Sequence, residues 1–264
     1  MPGIIPFQFM ATGHQISALK VGSGPALILV HGLGGHKEDF TQVMSELSAA
    51  NTVYAFDMLG FGQSARNSPS VGINTQADVI AGLMQAEKID RAVVIGNSLG
   101  GWVAATFAAR YPEKTAKLVL IDVAGLKVTL AGPPPVNFAP DTIADMQKLL
   151  QTVIASPFAH STEFATKALA DFKAGGEAAT LGKLFAGFAD PSNKDRVLDD
   201  VLPDVKAPTL VVWGAKDGLF PVVLADVVMA KLTDARKVVL ENSSHFPQID
   251  EPKALAAAIR AFSG

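Results

Sequence analysis

Hydrophobic positions along the chain form two alternating patterns. Short, continuous apolar runs rich in β-branched residues are typical of strands that are buried on both faces of a parallel sheet. Between them lie longer segments whose apolar residues repeat with helical spacing. The predicted strands cover 26–30, 52–57, 92–96, 117–123, 209–213 and 237–241, after an opening hairpin at 7–10 and 15–21, and the predicted helices cover 38–49, 75–87, 102–110, 221–232 and 251–262.

The alternation of strands and helices stops between residues 125 and 203. This stretch contains one more short strand pattern at 127–130, and then helical patterns at 141–154, 161–173 and 177–188. Repeated strand–helix units require a mostly parallel sheet with helices on both faces. The pattern therefore predicts an α/β fold in which residues 1–124 and 204–264 form the core and residues 125–203 form an inserted helical segment.

The stretch Gly96-Asn97-Ser98-Leu99-Gly100-Gly101 joins a predicted buried strand to a predicted helix. Ser98 has a glycine two positions before it and another two positions after it, and only small flanking residues tolerate the strained backbone of such a corner. The corner would point the free N–H groups of the next helix at whatever the hydroxyl attacks, where they favour an oxyanion. Ser98 is therefore the candidate nucleophile, the other interpretation being a tight turn with a spectator serine.

A serine nucleophile needs a base and a carboxylate, and both are expected at the same edge of the sheet, where loops leave the carboxyl ends of the strands. Of the five histidines, His245 alone lies between the last predicted strand and the closing helix. Asp217 follows the strand at 209–213, and serine, aspartate, histidine is the chain order expected for a nucleophile at such a corner. Asp122 is its main competitor because it ends the preceding strand, and Asp57 is a weaker one.

A glycine-rich loop, His31-Gly32-Leu33-Gly34-Gly35, follows the first buried strand and is expected to supply the second half of an oxyanion site. We expect the backbone N–H groups of Leu33 and Leu99 to hold the oxyanion, and His31 to brace the loop. A dinucleotide-binding loop is the other interpretation, but the sixth position is Lys37 rather than glycine. The residues expected to contact substrate are Gly32, Asn97 and Phe246.

Composition narrows the classes of partner and compartment. The net charge of −3, from 22 basic and 25 acidic residues, gives no electrostatic reason to expect nucleic acid or an anionic membrane as partner. The absence of cysteine excludes disulfides and thiolate chemistry and fits a reducing, cytoplasmic compartment. No signal peptide or apolar stretch of ~20 residues is present, so stable membrane insertion is not expected. The oligomeric state stays open, a homodimer included.

Five motifs in this order resemble those of α/β-hydrolases of the single-domain esterase type with a helical cap. They are His31-Gly32-Leu33-Gly34-Gly35, Asp57-x-x-Gly60-x-Gly62-x-Ser64, Gly96 to Gly101, Trp213-Gly214-x-x-Asp217-x-x-x-Pro221 and His245-Phe246-Pro247. The resemblance implies Ser98 as nucleophile, Asp217 as acid, His245 as base, and residues 125–203 as a lid. Relatives with dehalogenase or epoxide hydrolase activity carry an aspartate nucleophile, which Ser98 argues against.

The predicted function is hydrolysis of carboxylic esters with small to medium acyl groups through an acyl-enzyme, with no metal or organic cofactor. Gly-Asn-Ser-Leu-Gly-Gly also resembles hydrolases that cleave carbon–carbon bonds in ring-fission products. Those usually carry tryptophan after the histidine and Gly-Pro-Gly in the oxyanion loop, where this chain has Phe246 and Leu33-Gly34-Gly35. A perhydrolase reaction on the same three residues and a non-catalytic ligand receptor on the same fold are the remaining alternatives.

Overall fold

The computed structural model describes residues 3–130 and 136–264, and within them eight strands form one sheet in the order β1-β2-β4-β3-β5-β6-β7-β8. The first two pairings, β1 with β2 and β2 with β4, are antiparallel, and all the others are parallel. The mostly parallel sheet is therefore confirmed. The strands are β1 Ile5–Ala11, β2 His14–Gly22, β3 Ala26–Val30, β4 Thr52–Phe56, β5 Ala92–Asn97, β6 Thr115–Ile121, β7 Thr209–Gly214 and β8 Ala235–Leu240.

Helices cover both faces of this sheet. None of the helices in the described ranges combines the length and the apolar character that crossing a bilayer requires. The helices are α1 Thr41–Leu47, α2 Ile73–Ala86, α3 Leu99–Arg110, α4 Lys127–Leu130, α5 Ile143–Val153, α6 Thr162–Gly175, α7 Glu177–Ala189, α8 Leu198–Val201, α9 Leu224–Met229, α10 Pro247–Asp250 and α11 Pro252–Ser263.

Alternate side chains of each central strand enter different cores. In β3, Leu27 and Leu29 join one core with α1 and α11, whereas Ile28 and Val30 join the other with α2 and α3. This division follows from the two-residue period of a strand, which sends successive side chains to opposite faces. Because both faces are covered, the central strands are apolar throughout, as their sequences predict.

Three local predictions differ from the structure. The predicted helix at 38–49 begins as a 3-10 turn, Lys37–Phe40, before α1, and the one at 221–232 shortens to α9. The short strand predicted at 127–130 is wrong, since these residues form α4. The position beside β6 is already occupied by β7, and the Lys127 N–H instead donates to the Asp199 carboxylate at 2.7 Å, which ties this segment to α8.

The segment between β6 and β7 packs in two parts. Helices α5 and α6 form a separate apolar cluster that also includes Leu219, Phe220 and Phe246 from the loops after β7 and β8. Helices α7 and α8 instead contribute Leu181 and Leu198 to the core that α2 and α3 form on one face of the sheet. Residues 131–135 of the predicted insertion lie outside the described residues. The division into a core and an inserted unit with boundaries at 125 and 203 stays a prediction.

Candidate active site

Ser98 occupies a sharp corner between β5 and α3. Its backbone has φ 53° and ψ −119°, in the half of conformational space that non-glycine residues rarely adopt. A Cβ on Gly96 would overlap the backbone of Gly100, and a Cβ on Gly100 would overlap the carbonyl oxygens of Val30 and His31. Both motif glycines are therefore required by the close approach of neighbouring backbone, and the strain at Ser98 is held by that packing.

Asp217 and His245 form a buried hydrogen-bonded pair at the same edge. The His245 Nδ1 atom lies 2.8 Å from Asp217 Oδ2. The other oxygen, Oδ1, accepts from the backbone N–H groups of Leu219 at 2.8 Å and Phe220 at 2.9 Å, which fixes the carboxylate plane. With Nδ1 protonated and donating to Asp217, the free lone pair of the ring is on Nε2, the arrangement that a general base needs.

Asn97 connects the corner at Ser98 to the loop after β8 that contains His245, here called the histidine loop. Its Nδ2 group donates to the backbone carbonyl of His245 at 2.9 Å, and Gln248 Nε2 donates to its Oδ1 at 3.0 Å. The described residues include no hydrogen bond between the Ser98 hydroxyl and the His245 ring, and such catalytic contacts frequently tighten only when substrate binds. The described contacts of Asn97 are those of a positioning residue, so its contact with substrate stays a prediction.

His31 is a neutral brace of the glycine loop. Its Nδ1 lies 2.7 Å from the Gly32 carbonyl oxygen, and its Nε2 accepts from the Met58 N–H at 2.9 Å. Burial lowers the pKa of His31 to about 4. Both ring nitrogens are thus engaged with backbone groups and the ring is uncharged at neutral pH, as expected for a residue that shapes the loop and takes no part in proton transfer.

The glycine loop lies directly beside the serine. A Cβ placed on Gly32 would be 3.0 Å from Ser98 Cβ, so the missing side chain leaves space next to the hydroxyl. Within the described part of the chain, no protein group accepts the backbone N–H of Leu33 or of Leu99. Two unpaired donors next to a candidate nucleophile are what an oxyanion site requires, and this supports the prediction made for them.

Asp57, the weaker competitor for the acid, belongs to a separate ion pair. The Lys37 Nζ atom lies 2.7 Å from Asp57 Oδ2, and the backbone N–H groups of Lys37 and Gln63 each donate to this carboxylate at 2.9 Å. Burial opposes ionisation, but the proximity of His31 and the hydrogen bonds from Lys37 outweigh it and lower the pKa of Asp57. Asp57 therefore organises the loops after β3 and β4.

Asp122, the main competitor, lies next to the Asp217–His245 pair. Its Oδ1 accepts from the Gly214 N–H at 2.8 Å, and its Oδ2 is buried with no donor among the residues that the structure describes. Burial and then the neighbouring Asp217 carboxyl raise the pKa of Asp122 well above its ordinary value. The two aspartates and His245 each place one atom of metal-ligand type within 4.8 Å of the others. His245 Nδ1, the atom that would bind a metal here, is already hydrogen-bonded to Asp217. The expected absence of a metal stays a prediction.

Two aromatic rings and a carboxylate next to the His245 loop also shape the site, and of these the sequence analysis named only Phe246. The ring edge of Phe220 faces His245 with 5.2 Å between ring centroids, and that of Phe246 does so at 5.4 Å. The Asp250 carboxylate accepts from the N–H groups of Ala155, Ser156 and Ser244, and so joins the end of α5 to the histidine loop. The sequence analysis did not identify Phe220 or Asp250, because their contacts depend on how the loops after β7 and β8 meet each other and the end of α5.

Comparison with known proteins places this geometry in a family. The α/β hydrolase fold model matches residues 25–252. The chain is 26% identical to Lipase 3 of Moraxella sp. over 91% of its length and 78% of the lipase. It is 27% identical to 2-hydroxymuconate semialdehyde hydrolase of Pseudomonas sp., over 97% of its length and 92% of that enzyme.

Solved structures agree with the family model. A bacterial membrane phospholipase A, described as a virulence factor, superposes with a TM-score of 0.83 at 28% identity and covers 99% of this chain and 86% of its own. A meta-cleavage product hydrolase (CumD) superposes with a TM-score of 0.81 at 23% identity, over 98% of both chains, which shows a shared fold. With the family model matched over most of the sequence and the eight-stranded sheet in place, the chain belongs to the α/β hydrolase fold family.

Proposed function

We propose that the protein is a serine hydrolase that cleaves carboxylic esters with small to medium acyl groups through an acyl-enzyme. One observation carries the proposal: a buried aspartate–histidine pair, 2.8 Å apart, is joined through Asn97 to a serine held at a strained strand-to-helix corner. A serine hydroxyl becomes a useful nucleophile when an oriented imidazole can take its proton.

The chemistry follows from these positions. Ser98 Oγ attacks the ester carbonyl while His245 Nε2 takes the hydroxyl proton, and Asp217 stabilises the resulting imidazolium. The N–H groups of Leu33 and Leu99 hold the oxyanion, each donor lowering the barrier by ~3–4 kcal/mol. His245 then gives its proton to the leaving alcohol and activates the water that releases the acid.

Substrate access involves the segment between β6 and β7, which we propose is a lid. Ser98 is only 6% exposed and His245 only 2%. The end of α5 is hydrogen-bonded to the histidine loop, since the Phe246 N–H donates to the Val153 carbonyl and Ser244 Oγ donates to that of Thr152. Entry of an ester would therefore require movement of this segment relative to the loop, and we expect Phe246, whose ring faces His245 at 5.4 Å between centroids, to contact the acyl chain.

Carbon–carbon bond hydrolysis of ring-fission products is the second candidate function. The observation that favours it is similarity, because the 2-hydroxymuconate semialdehyde hydrolase matches the chain over nearly its whole length at an identity close to that of the lipase. Phe246 and the proline-free loop at Leu33 favour the ester hydrolase.

The test is a panel of p-nitrophenyl esters of increasing acyl length beside one ring-fission dienone, with labelling by a fluorophosphonate probe. We expect ester turnover and labelling in the wild type, and both lost by about a thousandfold or more in Ser98→Ala. Ser23→Ala, in an exposed loop at the opposite edge of the sheet, is the matched control. Undiminished turnover in Ser98→Ala would end the proposal, turnover of the dienone alone would establish the second candidate, and an unlabelled wild type would indicate a receptor.

A further inference from the structure

Two buried carboxyl groups share the space behind His245. Asp122 is fully buried, the Asp217 carboxyl is its close neighbour, and no group in residues 3–130 and 136–264 donates to its Oδ2 atom. The charged or titratable groups that face it are Asp217, His245 and, farther away, Asp250. In the described part of the chain, no lysine or arginine is paired with Asp122 or Asp217.

Keeping both carboxyl groups ionised when they are buried together costs free energy, because the two negative charges repel each other. A proton placed between them turns this repulsive contact into a hydrogen bond. Asp217 is the better anion, because two backbone N–H groups and the His245 ring donate to it. Asp122 accepts one hydrogen bond from the described residues, that of the Gly214 N–H. The proton therefore belongs on Asp122, at the oxygen that otherwise lacks a partner.

We infer that Asp122 is a positioning residue of the active site, a neutral carboxylic acid whose Oδ2–H donates a hydrogen bond to the Asp217 carboxylate. The inference rests on the proposed function, in which Asp217 orients His245. Asp122 keeps its proton throughout the reaction, and only His245 takes and returns the serine proton. The added donor fixes the Asp217 rotamer, so that the carboxylate stays in the position where it accepts the hydrogen bond from His245 Nδ1.

The decisive variants are Asp122→Asn and Asp122→Gly. Asparagine keeps an acceptor for the Gly214 N–H and presents an NH₂ donor to Asp217, whereas glycine removes both groups and tolerates the φ of 43° at this position. We expect kcat/KM for the best ester to stay within about threefold of wild type in Asp122→Asn and to fall roughly tenfold to a hundredfold in Asp122→Gly. KM should change little, because Asp122 does not contact substrate.

The pH profile separates a neutral Asp122 from an ionised one. If Asp122 is neutral, Asp122→Asn leaves the acid limb of kcat/KM, which reports His245, where it is. If Asp122 were an anion, its removal from a site within 4.8 Å of the ring would shift that limb to lower pH by about half a unit or more. Such a shift, or an Asp122→Asn loss as large as that of Asp122→Gly, overturns the inference.

An infrared measurement tests the protonation state without any activity. At pH 8 the wild type should show the carbonyl stretch of a buried carboxylic acid, and Asp122→Asn should lose it. Asp39, whose pKa burial raises to about 6, is ionised at that pH and does not contribute. A wild type without this band refutes the inference. A band that disappears in Asp122→Asn, in a protein that hydrolyses no ester, refutes only the proposed function.

Discussion

Two aspartates lie at the carboxyl ends of strands on either side of the serine strand, and they respond to burial in opposite ways. Asp57 follows β4, Asp122 follows β6, and β3 and β5 lie between them in the sheet. Both are fully buried. The pKa of Asp57 is lowered and that of Asp122 is raised. The difference shows that burial alone does not set the charge of a carboxyl group, and that the number of donors around it does.

The two surroundings fit two different tasks. On the Asp57 side (Lys37, Asp57 and Gln63), a buried ion pair with two additional N–H donors fixes the loops after β3 and β4. On the Asp122 side (Asp122, Asp217 and His245), two carboxyl groups lie close together, and one of them, that of Asp217, is hydrogen-bonded to the imidazole. Under the proposed function the His245 ring gains a proton during the reaction, and the Asp217 carboxylate is the anion that would stabilise it.

The largest expected effect lies on the Asp122 side. Asp217→Asn should reduce kcat about ten-thousandfold, because an amide cannot hold His245 in the tautomer that leaves Nε2 free. Esterase kinetics measure the loss, and Asp234→Asn, exposed before β8, is the matched control. If Asp122→Asn abolished turnover and Asp217→Asn did not, the acid would be Asp122 and the comparison would be reversed.

The choice between Asp217 and Asp122 shows how much of the site can be predicted from the sequence. The order of Ser98, Asp217 and His245 and the glycines around Ser98 are visible in the sequence, because the corner geometry and the strand ends dictate residue types there. The sequence favours Asp217 but leaves Asp122 as a competitor, because each follows a predicted strand, and the pairing with the histidine is what the structure adds. That pairing depends on the N–H groups of Leu219 and Phe220, which only the folded loop after β7 directs at Asp217.

The fold shows the same limit. Apolar runs identify the strands, since residues such as Leu27 and Ile28 must be apolar on both faces. The short apolar run at 127–130 forms α4 instead, because its backbone pairs with Asp199 and no sheet position is free beside β6. The local sequence pattern does not show whether a sheet position is free beside a given strand, because tertiary packing decides that.

The second prediction concerns the Asp57 side. Lys37→Met leaves Asp57 as an uncompensated buried charge and should lower the free energy of unfolding by about 3–5 kcal/mol. Urea titration followed by circular dichroism measures this change. The double variant Lys37→Met with Asp57→Asn should recover part of the loss, and Lys167→Met, at an exposed pair, should cost under about 1 kcal/mol. Equal costs for the two lysines would contradict a buried ion pair at Asp57.

The third prediction compares how Asp57 and Asp122 change the stability of the folded protein with pH. Because the folded-state pKa of Asp57 is lowered, its stabilisation is fully present above the ordinary value of 3.8 and is lost only as pH falls through the folded pKa. Because that of Asp122 is raised, the folded protein holds a proton that the unfolded chain releases, so stability decreases as pH rises from 3.8 towards the folded pKa.

Urea unfolding at pH 4, 5.5 and 7 measures the contrast. The cost of Asp57→Asn should be constant between pH 7 and 5.5 and should begin to shrink only near pH 4. Asp122→Asn should instead become more stable relative to wild type as pH rises, by at most about 1.4 kcal/mol per pH unit. A parallel pH dependence for the two variants would mean that both carboxyls carry the same charge in the folded protein.

The smallest expected effect lies where the Asp57 side meets α7. His36 Nε2 lies 2.7 Å from the buried Glu177 carboxylate, and this hydrogen bond raises the pKa of His36 to about 9. A raised folded-state pKa gives stability that is present below 6.5 and is lost as pH rises through about 9. His36→Gln should therefore cost up to about 1 kcal/mol at pH 7, the ring being 38% exposed, and almost nothing at pH 10.

Urea unfolding of His36→Gln at the two pH values provides the measurement, with His14→Gln in the opening hairpin as control. A cost that is the same at pH 7 and pH 10 would show that His36 acts through packing rather than charge. A cost that disappears at high pH would show that the Asp57 side is joined to α7 by a titratable contact.

The Asp122 side meets α5 through backbone hydrogen bonds and Asp250, so alkaline pH should loosen α7 before α5. Amide hydrogen exchange of the two helices at pH 7 and pH 10, corrected for the intrinsic pH dependence of exchange, tests that order.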